Sequence, residues 1–208
     1  LGARSRETES PERASCPFSL QRSGFVLSEG GAVLCLEERE SALARGATIL
    51  AEVTGYANFS DAVDFTSPAE DCVAREQTIR WALRGADLQP ADLDYINAHG
   101  TSTPLNDLNE TQSLKKALGD EAYRIPISST KAYSGHLIAA AGSFETIVCL
   151  QAMAAGILPA TAHLTQPDPQ CDLDYIAEGH RQGEIHRALN LSFGFGGANA
   201  ALVLEKHA

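Results

Sequence analysis

The sequence predicts an α/β fold with layered packing. Strand-like and helix-like segments alternate along the 208 residues, a pattern typical of helices that cover a sheet. The stretch 135–155 predicts a long helix that is apolar nearly all round, so we expect it inside the protein. Near the end of the chain, a glycine-rich turn separates two further apolar strands.

The predicted elements follow one another with short breaks. Residues 1–23 are polar and predict a loop. Residues 31–37 are apolar and predict a buried strand. The remaining predicted elements, in chain order, are helix 38–45, strand 47–55, loop 56–68, helix 71–83, strand 93–98, helix 105–118, strand 125–129, helix 135–155, strand 187–193 and strand 198–205. Gly46, Gly85 and Pro90 mark breaks between them.

Composition and charge exclude several classes of function. The hydrophobic share of 44% and the charged share of 21% are ordinary for a globular protein. A net charge of -11 repels phosphate backbones, so nucleic-acid binding is not expected. The apolar stretches are interrupted by Gly, Glu or Gln, so no membrane span is expected. Arg4, Arg6 and Arg13 cluster near the start, where either an acidic partner docks or the charges are simply solvated.

The cysteines indicate neither disulfides nor a metal. They are spread along the chain as Cys16, Cys35, Cys72, Cys149 and Cys171. No CxxC or HExxH pattern occurs, so neither a metal nor another cofactor is expected. Cys35 and Cys149 lie in apolar runs and are predicted to be buried thiols, and the usage is typical of a reducing cytoplasm. The chain starts at Leu1 without a signal peptide, which suggests a start within a longer protein.

The first candidate site follows the strand 93–98. It has the sequence Asn97-Ala98-His99-Gly100-Thr101-Ser102-Thr103-Pro104. A histidine at the end of a strand, followed by glycine and hydroxyl groups, is well placed to face a cleft. The alternative is a structural histidine that is satisfied within its loop.

The second candidate site, Ser128-Ser129-Thr130-Lys131-Ala132-Tyr133-Ser134-Gly135-His136, leads into the predicted helix 135–155. At the start of that helix, the macrodipole would keep His136 neutral and able to donate a hydrogen bond to a developing oxyanion. Lys131 needs a partner if it is buried, and Glu145 is the candidate for an ion pair. The alternative is that both side chains extend to the surface.

The third candidate site is the glycine-rich turn Ser192-Phe193-Gly194-Phe195-Gly196-Gly197. A phosphate-binding loop opens a helix, whereas a strand follows this turn. Two interpretations remain: a tight hairpin, or a turn whose backbone N–H groups approach a ligand and form an oxyanion site.

In this order, the three segments resemble the C-terminal signatures of one family. NAHGTST, STKxxxGH and SFGFGG are similar to those of the elongating β-ketoacyl-[acyl carrier protein] synthases, within the thiolase-like superfamily. The resemblance runs essentially end to end and includes Gly24-Phe25-Val26-Leu27 and Cys171-Asp172-Leu173-Asp174-Tyr175. The second active-site position is His136, whereas the initiating synthases resemble a Cys-His-Asn pattern. Thiolases carry a cysteine near the final glycine-rich turn, and residues 193–200 contain none. Both features resemble the decarboxylating class.

The resemblance implies a five-layer αβαβα fold made of two similar halves. Residues 1–45 would be the end of the N-terminal thiolase-like half and residues 46–208 the C-terminal half. The chain would need an N-terminal half to complete the fold. The family's nucleophile is a cysteine in a Thr-Ala-Cys-Ser-like context in the first half, and none of the cysteines here has that context. The chain should therefore be inactive without the cysteine-bearing half.

The resemblance also implies roles for individual residues. The matching positions are His99, His136 and Lys131 as catalytic residues, Glu145 and Asp107 as supporting residues, Phe195, Gly194 and Gly196 at the oxyanion hole and gate, and Thr101 and Thr103 as ligands of the pantetheine arm.

The implied reaction is the decarboxylative Claisen condensation of acyl-carrier protein with malonyl-carrier protein in fatty-acid elongation. Expected partners are the N-terminal half of the synthase, the acyl carrier protein and a second complete unit in a homodimer. Two alternatives remain. One is a polyketide ketosynthase, which the motifs do not separate. The other is a non-catalytic subunit like the chain-length factors, against which the presence of His99, Lys131 and His136 argues.

Overall fold

The computed structural model describes residues 3–207. Helices and short strands alternate along it, as the sequence predicts. In chain order the elements are α1 (Arg39–Ala44), β1 (Glu52–Ser60), α2 (Val73–Gly85), β2 (Tyr95–Asn97), α3 (Pro104–Leu118), β3 (Ile127–Ser128), α4 (Lys131–Ser134), α5 (Ala141–Ala155), β4 (Ile157–Leu158), β5 (Arg181–Gln182), β6 (Arg187–Phe193) and β7 (Ala198–Glu205).

A mixed five-stranded sheet, in the order β1-β7-β6-β2-β3, forms the centre of the molecule. The strands β1, β7 and β6 are antiparallel neighbours, whereas β2 is parallel to both β6 and β3. The short strands β4 and β5, which the sequence did not predict, pair separately. Since β2, β3 and β6 point the same way, their carboxyl ends lie at one edge of the sheet.

Helices cover both faces of this sheet. Helix α2 packs on β1 and β7 beside α3, and α5 packs on β6. Because side chains alternate along a strand, β6 contributes to two cores. Leu189 and Leu191 pack in the core on the α2 and α3 side, whereas Ala188 lies in the core that includes Cys149 and Met153 of α5. The predicted α/β class with layered packing is therefore confirmed.

Most predicted elements lie close to observed ones. Helices 38–45, 71–83 and 105–118 correspond to α1, α2 and α3, and strands 93–98, 125–129, 187–193 and 198–205 to β2, β3, β6 and β7, with ends that differ by at most two residues. The polar start is largely loop, with one 3₁₀ turn at Pro11–Arg13. These elements combine clear side-chain periodicity with glycine or proline at their ends, which explains why local patterns located them.

The predicted buried strand 31–37 is wrong. Within the part of the chain that the structure describes, no strand pairs with this segment. Val33 is 91% exposed and Leu36 is 77% exposed. Cys35, predicted to be buried, is also exposed, whereas Cys149 is buried as predicted. An apolar run indicates that its side chains favour burial. A strand also needs a hydrogen-bonded neighbouring strand, which local sequence does not reveal.

The second predicted strand is displaced along the chain. The sequence predicted a strand at 47–55 and a loop at 56–68, whereas β1 begins at Glu52 and ends at Ser60. Its register with β7 runs from the pair Glu52 and Glu205 to the pair Ser60 and Ala198. The length and position of β1 are thus set by its partner strand.

The long apolar helix begins later than predicted and is covered on one side. Gly135 has a left-handed φ of 68°, a 3₁₀ turn follows at Ile138–Ala140, and α5 begins at Ala141. Cys149 and Met153 are buried, while the opposite side is partly exposed. The expected burial is therefore found on one face of α5 and not on the other.

The window Ile138–Ala155 has a mean hydropathy of 1.5 and is 33% buried. By length and composition alone it could cross a membrane, which the sequence analysis did not expect. A single such segment is weak evidence, because the core helix of a soluble protein has the same properties. Here the segment is divided into a 3₁₀ turn and α5, and α5 carries the buried Glu145.

Gly55 allows β1 to approach α2, because a Cβ at this position would lie 2.2 Å from the carbonyl oxygen of Ala82. We expect Gly55→Ala to lower the free energy of unfolding by about 1–3 kcal/mol through overpacking. Gly31→Ala is the control, since a Cβ there meets nothing within 4 Å. Urea unfolding measures both. Equal stability of the two variants would contradict the close packing of β1 on α2.

Candidate active site

The three predicted site segments meet at one cleft. Each segment follows one of the strands β2, β3 and β6, whose carboxyl ends share an edge of the sheet. The cleft has a volume of about 800 Å³. Its lining includes Phe25, Thr101, Thr103, His99, His136 and Phe195. Parallel pairing, rather than closeness in sequence, therefore assembles the site.

Two histidines lie against each other in this cleft. The ring centroids of His99 and His136 are 5.4 Å apart, with the rings nearly perpendicular. Burial, followed by the positive charge of Lys131, lowers the pKa of His136 to about 4. Burial lowers the pKa of His99 well below its usual value, and Lys131 acts in the same direction. Both imidazoles are therefore neutral at pH 7.

His136 does not lie at a helix N-terminus, which corrects the prediction. It is extended, exchanging backbone hydrogen bonds with Val26 and Ser28, and α5 begins only at Ala141. Burial and Lys131, rather than the helix macrodipole, keep its imidazole neutral. The N–H of Ile138 donates to Nδ1 of His136 at 3.1 Å. The proton of the neutral ring is therefore on Nε2, which makes Nε2 a hydrogen-bond donor.

Glu110, which the sequence analysis missed, anchors the His99 loop. Its carboxylate accepts hydrogen bonds from the N–H groups of His99 at 2.7 Å and Gly100 at 2.8 Å. Burial raises the pKa of Glu110 to about 7, although these N–H groups oppose the shift. Glu110 lies in the middle of α3, where an acidic residue ordinarily faces solvent, so local sequence gave no signal for this contact.

The ion pair expected between Lys131 and Glu145 is present and buried, since both side chains are only 1% exposed. The alternative of two surface side chains is therefore wrong. Burial raises the pKa of Glu145, and Lys131 opposes that shift. The pair joins α4 to α5 and places a positive charge near both histidines.

Asp107 and the two threonines organise the loop between His99 and α3. Asp107 is fully buried and accepts hydrogen bonds from the N–H groups of Phe18 at 2.9 Å and Thr101 at 3.0 Å. The hydroxyls of Thr101 and Thr103 are 2.9 Å apart. Thr103 also caps α3 by accepting from the N–H of Asn106. Both threonines line the cleft.

The glycine-rich turn is a hairpin between β6 and β7, and it borders the cleft. The structure is therefore compatible with both interpretations, a tight hairpin and a turn that presents backbone N–H groups to a ligand. The N–H of Gly194 donates to the carbonyl of Ala198 at 2.6 Å, and that of Gly196 to the carbonyl of Phe65 at 2.8 Å. These two donors are therefore engaged. Phe195 is 55% exposed, and its ring centroid lies 6.4 Å from that of Phe25.

Two further residues line the cleft: Phe193, which belongs to the third candidate segment but had no role assigned to it, and Arg75, which the sequence did not indicate. Phe193 packs its ring against His99, with centroids 5.9 Å apart. Arg75 of α2 lines the cleft, and its guanidinium carbon lies 4.3 Å from the centroid of Phe193. Arg75 reaches the site from a helix distant in sequence, so no local motif contains it. Among residues 3–207, no group of three or more His, Cys, Asp or Glu side chains is arranged to hold a metal ion.

Comparison with known proteins places the chain in a family. Residues 50–165 match the family model described as β-ketoacyl synthase, C-terminal domain. The chain belongs to the β-ketoacyl synthase family. This β-ketoacyl synthase chain is 47% identical, over 99% of its length, to 3-oxoacyl-[acyl-carrier-protein] synthase 2 of Synechocystis sp., of which it covers 49%. It is 45% identical, over 99% of its length, to the actinorhodin polyketide putative β-ketoacyl synthase 1 of Streptomyces coelicolor, of which it covers 44%.

Solved ketosynthase structures agree with the fold. A type II polyketide acyl-carrier protein in complex with its ketosynthase matches with a TM-score of 0.94 and 41% identity, covering 100% of this chain and 51% of that one. A β-ketoacyl synthase from Burkholderia phymatum matches with a TM-score of 0.92 and 34% identity, covering 100% of this chain and 50% of that one. The chain thus spans about half the length of the relatives it matches.

These matches confirm the expected fold, the C-terminal half of a thiolase-like synthase. The division into 1–45 and 46–208 stays a prediction, as do the roles of the individual site residues. The sequence motifs and the geometry agree that His99, His136 and Phe195 meet at one cleft.

The lowered pKa of His136 predicts an unusual titration. In the folded protein its imidazole should titrate near pH 4, against about 6.5 in the unfolded chain. Lys131→Met should raise this pKa by removing the nearby positive charge. NMR of the imidazole across pH 3.5–8, in the folded and the urea-unfolded chain, measures both.

The lowered pKa of His136 also makes the free energy of unfolding depend on pH. The unfolded chain binds the extra proton first, so the His136 contribution to stability is full above about pH 6.5 and falls as the pH drops toward 4. An imidazole that titrates near 6.5 in the folded protein would contradict the buried, neutral assignment.

The buried ion pair makes a second prediction. Lys131→Met leaves Glu145 buried without its cation, so the free energy of unfolding should fall by about 3–5 kcal/mol. Replacing both residues, with Lys131→Met and Glu145→Leu, should restore much of that loss. Arg80→Met is the control, because Arg80 pairs with Glu76 at the surface, where about 0–1 kcal/mol is expected. Urea unfolding that gives equal losses for Lys131→Met and Arg80→Met would contradict a buried pair.

Proposed function

We propose that this chain is the C-terminal half of a 3-oxoacyl-[acyl carrier protein] synthase, an acyltransferase that condenses acyl-carrier protein with malonyl-carrier protein in fatty-acid biosynthesis. The observation that carries the proposal is the pair of neutral histidines, with ring centroids 5.4 Å apart in one cleft. Two neutral imidazoles can donate two hydrogen bonds to one thioester oxygen without adding charge.

In the proposed reaction, the Nε2–H groups of His99 and His136 donate to the carbonyl oxygen of the malonyl thioester. The bond between C2 and the carboxylate breaks, CO₂ leaves, and the electron pair moves onto the thioester as an enolate. The two donors stabilise the negative charge as it forms on that oxygen. C2 then attacks the carbonyl of an acyl-cysteine thioester, forms the new carbon–carbon bond and expels the cysteine thiolate.

Lys131 and Glu145 support this chemistry at a distance in the proposal. The Lys131 charge lowers the pKa of both histidines and so disfavours imidazolium. Glu145 compensates the buried ammonium. Asp107 is a structural support, because its carboxylate holds backbone N–H groups rather than facing a substrate.

We assign the oxyanion donor of the acyl-transfer step to the backbone N–H of Phe195. The neighbouring Gly194 and Gly196 are proposed to shape the turn, since their own N–H groups donate to Ala198 and Phe65. The exposed Phe195 ring, opposite Phe25, is proposed as a gate at the cleft. The hydroxyls of Thr101 and Thr103, which line the cleft, are proposed to bind the pantetheine arm.

The nucleophile is proposed to come from an N-terminal half. No cysteine lines the cleft within residues 3–207. Burial raises the pKa values of the Cys16, Cys149 and Cys171 thiols, which disfavours their reactive thiolates. The exposed apolar segment that includes Val33 and Leu36 supports a missing neighbour, because a large apolar surface is costly in water.

The remaining partners follow from the same proposal. The acyl carrier protein delivers both substrates, the complete unit forms a homodimer, and the synthase acts in the cytoplasm. The carrier is supported by the related ketosynthase solved with its own acyl-carrier protein. Free cysteines at all five positions support a reducing compartment.

A polyketide ketosynthase is the second candidate. The relative from Streptomyces coelicolor and the ketosynthase of the carrier complex are polyketide proteins by name. The chemistry of the cleft is the same for both pathways, so they differ in the acyl chain that is accepted. A non-catalytic chain-length factor is less well supported, because the cleft retains both histidines and the buried lysine.

The proposed function predicts the effect of removing one donor. In the complete synthase, His136→Ala or His99→Ala should lower malonyl-carrier decarboxylation by about 10²–10³-fold, as expected when one oxyanion donor is lost. His186→Ala is the control, because the His186 imidazole is exposed and its hydrogen-bond partner among the described residues is the surface carboxylate of Glu184. Release of CO₂ is the measurement, with circular dichroism to establish folding. Unchanged decarboxylation in folded His136→Ala would contradict the proposal.

A further inference from the structure

Arg75 is a buried cation that the proposed reaction does not use. It lies on α2, is 5% exposed, and still lines the cleft that contains His99 and His136. Its guanidinium carbon is 4.3 Å from the centroid of Phe193, a geometry that favours a cation–π contact. The same Phe193 ring contacts His99 edge-on. The guanidinium is therefore held by an aromatic ring beside the proposed reaction centre.

Two guanidinium nitrogens of Arg75 lack polar partners among the described residues. Its Nε and Nη1 atoms have no hydrogen-bond partner among residues 3–207. The two carboxylates that act most on its charge are already engaged: Glu110 accepts from the His99 and Gly100 N–H groups, and Asp61 accepts from the Ala69 N–H and from the Asn199 amide. Leaving a buried charge without a direct partner is costly.

The charge is nevertheless retained. Burial lowers the pKa of Arg75, and Glu110 opposes that shift. A guanidinium starts from so high a pKa that it stays protonated in proteins. Hydrogen bonds to the acceptor oxygens of a ligand would offset the cost of burying the guanidinium.

The cleft favours one kind of ligand for this cation. Of the side chains that line it within the described residues, Arg75 carries the permanent positive charge, and the two histidines are neutral. The carboxylate of Asp61 also lines the cleft, but its oxygens already accept from the Ala69 N–H and the Asn199 amide. A planar guanidinium matches a carboxylate with two parallel hydrogen bonds. Neutral acyl groups offer no such acceptor pair. The unpaired guanidinium donors of Arg75 therefore favour an anionic acyl group.

We propose that Arg75 binds the free carboxylate of the malonyl group and so distinguishes this dicarboxylic monothioester from neutral acyl thioesters. The inference rests on the proposed function, which brings malonyl thioester into the cleft. Arg75 acts here as a specificity-determining residue. Because it contacts the carboxylate before CO₂ leaves, it stabilises the bound substrate more than the transition state. It should therefore lower KM without raising kcat.

The test compares two pantetheine thioesters of similar size, malonyl and the neutral acetoacetyl. Binding is measured by calorimetry on the complete synthase carrying His136→Ala, which retains the malonyl group during titration. We expect the protein with Arg75 to prefer malonyl-pantetheine by about 10–100-fold, as for charge-assisted hydrogen bonds. Arg75→Met should abolish that preference, and Arg75→Lys should keep part of it. Arg80→Met, on the exposed side of α2, should leave it unchanged.

Stability separates recognition from a structural role. Because Arg75 is buried without hydrogen-bond partners for Nε and Nη1, Arg75→Met should melt at the same temperature or higher. The proposal is overturned if malonyl preference survives Arg75→Met, if both thioesters weaken equally, or if acetoacetyl binding alone is lost. If the complete synthase without substitutions shows no condensation while its malonyl preference is intact, the proposed function is contradicted instead, so the two failures are distinguishable.

Discussion

Lys131 and Glu145 meet in the interior of the protein, where each side chain is only 1% exposed. The pair fixes α4 to α5 and so holds the segment that ends at His136. Its cation also acts through space, lowering the pKa of both cleft histidines. One buried interaction thus contributes both to the position of the proposed donors and to their protonation state. This explains why a charge is kept at a place where burial alone would favour an apolar residue.

The second constraint is the direction of three strands. Because β2, β3 and β6 are parallel, the segments that follow them meet at one edge of the sheet. His99, Lys131 and Phe195 are distant in sequence, yet each lies just beyond one of these strands. Glu110 and Asp107 then fix the loop after β2 by accepting backbone hydrogen bonds from it. The cleft is consequently built on rigid elements, with loops supplying only the reactive groups.

The exposed apolar surface of the chain is consistent with the chain spanning about half the length of its relatives. Val33 and Leu36 are exposed in an apolar segment without a strand partner among the described residues, and one side of α5 is partly open. Solved ketosynthases are about twice as long as this chain. In the proposed function, this chain supplies the hydrogen-bond donors for the enolate and the oxyanion, and an N-terminal half supplies the nucleophile.

The sequence by itself determined the α/β class, the bounds of elements such as α3, β6 and β7, the family, and the Lys131–Glu145 pair. Periodicity, breakers and motifs are local, and a lone acid on an apolar helix points to a buried cation.

Only the tertiary structure decided the rest. The segment 31–37 is not a strand because strands need partners, and β1 is placed by its register with β7. His136 is neutral through burial rather than a helix terminus, and Arg75 reaches the cleft from α2. Burial, pairing and charge proximity are properties of the packed chain, so no local window of sequence contains them.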